Sequence, residues 1–180
     1  MEPLARLVAF ATAGAFQTTQ DLVGRIASDV AGADVNVVAE ETLALVAVAT
    51  ARAAEVGLRA NPDAAQAASA ALLALPAMYR DYFVGGALLA GEDGAHAFVD
   101  AAEHDRARLE RKLSFYTVHL PAGQFPGERA LEEKLPLWMG RVSGPGLPEM
   151  PAERLGRLGL AADLLTHLKV VLAFARKMGG

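Results

Sequence analysis

The chain contains no cysteine. That removes disulfides, thiolate nucleophiles and cysteine-ligated metals together, and it makes the cytoplasm the expected location. Charge of one sign is also scarce: 17 Lys and Arg stand against 21 Asp and Glu, for a formal charge of −4. No basic cluster interrupts that balance, so the phosphate-neutralising face of a nucleic-acid binder is not expected. Long apolar runs are missing as well. The longest stretch without a charged residue, residues 64–79, is interrupted by Gln66, Ser69 and Pro76 and is too short to span a bilayer. At the N-terminus, Arg6 before Leu7, Val8, Ala9 and Phe10 imitates a signal peptide. Glu2 offsets the arginine and the apolar run is short, so a secretory leader is not the expectation.

What is abundant is small and apolar. Hydrophobic residues make up 53% of the 180 positions against 21% charged, enough burial to offset the entropy of folding. Much of that fraction is alanine, which favours helix and lets helix backbones approach closely. The expectation is an all-α fold, a compact bundle of about six to eight helices, in a single domain over residues 1–180.

Turn and capping residues divide the chain. Leu4, Leu7, Val8 and Ala11 share a helical face, and the Thr18-x-x-Asp21 spacing suggests a capping box that opens a second short helix through Leu22, Val23, Ile26 and Val30, stopped at Gly32. After Asp34 a helix with apolar residues on several faces runs to Val56, with Gly57 as its stop, and is expected at the centre. Asn61-Pro62 has the form of an N-cap and first-turn proline. The register Ala68, Leu72, Leu75, Tyr79 and Tyr82 continues through Pro76, so a kinked helix or a helix pair follows. A longer, peripheral helix from about Asp93 to His119 sets Phe98, Ala102, Leu109, Leu113 and Tyr116 opposite a charged face. Residues 121–151 form a Pro/Gly-rich irregular segment with a short helix near 128–134. A last helix from Pro151 carries two apolar rows, Leu160, Leu164, His167, Val171, Phe174 and Met178 beside Leu158, Leu165, Leu168 and Leu172, which predict burial at the centre. Gly156 and Gly159 fall inside that pattern, where they would permit close packing.

No Walker loop, dinucleotide fingerprint, serine elbow, His-Glu-x-x-His or EF-hand loop occurs. Three constellations remain. The first is His96, Asp100 and His104, spaced by four as weak candidate metal ligands. Successive steps of four drift around a helix, and the carboxylates of a ferritin-type site are missing, so a solvated charged face is the better explanation of them. The second is His167, set in an apolar row four residues after Asp163 and suited to a proton carrier, a haem ligand, a pH-sensitive group or a core histidine. With Tyr79, Tyr82, His119 and Trp138 it makes a candidate ligand-binding set; Met78 through Phe83 concentrate aromatic and charged groups beside the Pro76 break, which suits a pocket mouth. The third is the apolar content of the irregular segment. Phe125, Leu137, Trp138 and Met139 cap the core or form a partner-binding surface.

The leading expectation is a non-catalytic interaction or adaptor protein that self-associates or binds a protein partner. The alternative is a small-molecule or cofactor-binding helical sensor that takes an apolar molecule, and the weaker alternative is a metal-dependent enzyme. The sequence identifies no cofactor.

Overall fold

The computed structural model describes residues 2–29, 35–81, 95–139 and 152–179, with side chains throughout except at 95–105, 139, 152, 154 and 155. It is all-α: helices α1 (Pro3–Asp29), α2 (Val35–Gly57), α3 (Pro62–Leu73), α4 (Ala95–His119), α5 (Glu128–Met139), α6 (Ala152–Arg157) and α7 (Leu160–Gly179). Residues 75–81 are also helical, offset from α3 by one turn residue at 74. Among the described residues no helix is long and apolar enough to cross a membrane.

Helix α2 is the axis. Every residue from 41 to 54 is buried, because α1, α3, α4 and α7 all pack on it. Its alanines allow those approaches, and Gly57 permits a close one: a Cβ there would lie 2.4 Å from the Ala175 Cβ and 3.0 Å from the Leu172 carbonyl of α7. Helix α5 lies against α6 and α7. One core cluster joins Leu7, Leu22 and Ile26 of α1, Leu45 and Val48 of α2, Leu72 of α3, Tyr116 of α4, Leu131 and Trp138 of α5, and Leu164, Leu168 and Val171 of α7.

The local signals succeed and fail for identifiable reasons. Asn61 caps α3 as its residue type predicts, its Oδ1 accepting from the Ala64 amide at 3.1 Å with Pro62 in the first turn. The register through Pro76 produces the expected break, since proline has no amide to continue the ladder. The Thr18 capping box is not used. Helix α1 runs unbroken through it; Thr18 and Thr19 are buried, and the Thr19 hydroxyl donates to the Ala15 carbonyl at 2.8 Å, which satisfies it inside a helix.

The last helix also differs from its expected form. Gly159 takes φ +67, the left-handed conformation that favours glycine, and divides the expected continuous helix into α6 and α7. Arg25 pins this break to α1, donating to the Leu158 carbonyl at 3.0 Å and pairing with Asp163 at 2.6 Å. Helix α7 buries Leu160, Leu164, Leu165, Leu168, Val171 and Ala175 on one broad face and exposes Thr166, Lys169, Val170 and Ala173. It is amphipathic and flanks α2 rather than sharing the centre with it.

Candidate functional site

Helix α2 carries four charged residues in a mostly apolar sequence, and each is engaged. Glu40 holds Arg108 of α4 through two hydrogen bonds, to Nε at 3.1 Å and Nη2 at 2.6 Å. Glu41 receives the Tyr116 hydroxyl at 2.5 Å and Lys112 Nζ at 2.8 Å; Lys112 also lies 3.8 Å from Glu40. Arg52 donates to the Leu120 carbonyl at 2.8 Å and to Glu55 at 2.6 Å. Glu55 takes in addition the Ser69 hydroxyl at 2.5 Å and the Gly123 amide at 2.9 Å. One pair therefore anchors α4, and the other anchors the turn that follows α4. Glu41 and Arg52 are buried, and buried ions persist only when their remaining hydrogen-bonding capacity is met.

The α4 anchor borders a hollow of about 290 Å³ between α2, residues 75–81 and α4, close to the lower end of typical ligand sites. Its walls are Ala39, Leu43, Pro76 and Leu109, and its polar groups are Asn36, Glu40, Tyr79, Arg80 and Arg108. The kink at Pro76 turns Tyr79 and Arg80 toward α2, and the Tyr79 ring also meets Phe16 of α1 at 5.7 Å. Arg80 is bound through Nε, at 3.0 Å, and through Nη2 to its exposed neighbour Asp81. Among the described residues its Nη1 has no hydrogen-bond partner, although the side chain is only 18% exposed.

Of the five residues expected to share a ligand site, the four that are described do not converge. Tyr79 lines the hollow just described. Tyr82 lies outside the described residues. His119 and Trp138 border a different recess of about 360 Å³ between the end of α4 and α5, with ring centroids 6.1 Å apart. His167 lies at the junction of α1, α2 and α7. Its Nε2 is 2.9 Å from Thr50 Oγ1, and that hydroxyl already donates to the Val46 carbonyl at 2.6 Å. Nε2 must therefore carry a proton and donate, so in the neutral form favoured by burial Nδ1 is the unprotonated nitrogen. Burial pushes its pKa down to about 4. Space for the ring is provided by Gly14, where a Cβ would fall 2.7 Å from Cε1 and 2.8 Å from Nδ1. Asp163, the partner four residues earlier, turns instead to Arg25.

Trp138 is only 5% exposed, packed edge-on against Tyr116 at 5.9 Å, while Leu137 beside it is 66% exposed. Phe125 is half-buried at the second recess. The partner-surface group thus divides into a core tryptophan and an outward leucine; the Met139 side chain lies outside the described residues. The side chains of His96, Asp100 and His104 lie outside them too. Among the described residues no three metal-ligating side chains gather.

Sequence reasoning singled out Tyr79, covered Arg80 only as part of the stretch from Met78 to Phe83, and missed Asn36, Glu40 and Arg108. The available signal was the Glu40-Glu41 pair inside an apolar helix, since two carboxylates on a helix packed on all sides require cations from a neighbour. Comparison with protein-family models, with curated proteins and with solved structures finds no match.

Proposed function

We propose that the protein is a helical small-molecule-binding protein whose site is the hollow bounded by α2, residues 75–81 and α4. One observation carries the reading: apolar walls from Ala39, Leu43, Pro76 and Leu109 meet the polar groups of Asn36, Tyr79, Arg80 and Arg108 in a single concavity. Such a mixture buries a ligand's body by the hydrophobic effect and orients it through a few hydrogen bonds. The Glu40–Arg108 bridge holds two walls of the hollow together, so a bound molecule need not assemble the site for itself.

The test uses N-phenyl-1-naphthylamine, a neutral apolar fluorophore. It is expected to bind the intact protein with an emission increase, and Ala39→Phe, which fills the hollow from α2, is expected to weaken binding about tenfold or more. Circular dichroism confirms that the variant folds. No binding, or binding indifferent to Ala39→Phe, contradicts the reading.

A second reading, a protein-contact or self-association face, draws support from Val118 and Leu137, which are exposed beside exposed His119 and the buried Trp138 ring it meets. Sedimentation equilibrium of the wild type and of Leu137→Asp decides it: an oligomer lost on substitution supports the face, and a wild-type monomer removes self-association.

A further inference from the structure

We propose that the ligand of this hollow is an amphipathic anion, an apolar body ending in a carboxylate, sulfonate or similar group, and that Arg80 receives the charge. This deepens the ligand-binding reading and rests on it.

Among the described residues the lining carries two guanidiniums and one carboxylate. The carboxylate, Glu40, is occupied by Arg108 at both oxygens and has Lys112 behind it. What remains is the charge of Arg80. Its counter-ion Asp81 is next to it in the chain and 61% exposed on its side chain, so water screens that pair. The geometry of the pair leaves one face of the guanidinium unused. Nε and Nη2 go to Asp81, whereas Nη1 is withdrawn from solvent with no acceptor among the described residues.

A charged donor held out of water without an acceptor is costly, and an entering anion relieves that cost while forming charge-assisted hydrogen bonds. Arg80 lines the hollow and its pairing with Asp81 uses only Nε and Nη2, so a side-chain rotation that offers Nη1 to the hollow gives up no hydrogen bond made by Nη1. The apolar walls opposite, Leu43 and Leu109, accept the body of the ligand. Among the described lining residues the carboxylate, Glu40, is already paired, so a cation meets no comparable complement there.

Two fluorophores with nearly the same ring system separate the contributions: 1-anilinonaphthalene-8-sulfonate, which has an anionic group, and N-phenyl-1-naphthylamine, which has none. Each is titrated into the wild type, Arg80→Met and Arg80→Lys. The sulfonate is expected to bind the wild type more tightly than the amine. Arg80→Met should weaken the sulfonate about tenfold or more while moving the amine less than about twofold, and Arg80→Lys should restore part of the loss. Sulfonate binding that is no tighter than amine binding, or that ignores Arg80→Met, overturns the anion proposal and leaves the hollow as a neutral-ligand site. Failure of both dyes to bind overturns the ligand-binding reading itself, and this proposal with it. Unchanged thermal midpoints in the two variants exclude a folding defect as the source of weaker binding.

Discussion

Replacing Lys112 by methionine is expected to lower the unfolding free energy by about 3–5 kcal/mol. Lys112 is 11% exposed and Glu41 3%, and their 2.8 Å contact is the only full charge opposite Glu41 among the described residues. The methionine keeps most of the side-chain volume, so the loss comes from a carboxylate left in the interior with the Tyr116 hydroxyl as its remaining donor. The expectation includes its own control. Glu41→Leu, Lys112→Met and Tyr116→Phe combined should recover much of the stability, because no charge or hydroxyl is then stranded. Urea denaturation measures both. A loss below about 1 kcal/mol for Lys112→Met would mean that water reaches Glu41 freely.

The second large effect is a pH dependence centred on His167. Its pKa is about 4 in the folded protein against 6.5 for the unperturbed imidazole. The unfolded chain therefore takes up its proton as pH falls through 6.5, and the folded chain does not until about 4. The contribution of this residue is fully present above 6.5 and is lost as pH falls toward 4. Over that window the wild type should lose about 3 kcal/mol relative to His167→Gln, which keeps a donor for Thr50 but does not titrate. Stability curves that run parallel for the two proteins from pH 7 to pH 4 would show that the imidazole is solvated in the fold. Other groups that titrate in this range cancel in the comparison.

How far the sequence foretold the molecule depends on which physical question is put to it. The position of α2 was legible because apolar residues on several faces of one helix have to be covered on all sides. The start of α3 was legible because Asn61 and Pro62 each have a specific job at an N-terminus. Thr18 misled because a threonine hydroxyl is satisfied equally by a cap or by the carbonyl one turn back, and neighbouring Thr19 shows the second outcome. Gly159 misled because a glycine in a helical pattern allows both close packing and a left-handed break, and the pinning by Arg25 comes from a helix more than a hundred residues away in sequence.

The site was less legible than the fold. Spacing along one helix tells which residues share a face but not which faces meet. His167, His119 and Tyr79 each looked suited to a pocket, yet they lie at three different junctions: α1–α2–α7, α4–α5, and the hollow beside α2. Trp138, the only tryptophan, was expected either at a surface or as a cap, and its ring contact with Tyr116 places it in the core. The residues that bring the hollow together, Glu40 and Arg108, are 68 positions apart, and only their shared geometry identifies them.

The central claim, that the hollow between α2, residues 75–81 and α4 binds an amphipathic anion, is tested most directly by methyl carbon–proton spectra of selectively labelled protein during titration with 1-anilinonaphthalene-8-sulfonate. The account predicts saturable shifts concentrated at the methyl groups of Ala39, Leu43 and Leu109. Shifts concentrated instead at Ala130 and Leu131, in the recess beside Trp138, or spread evenly through the core, would contradict it.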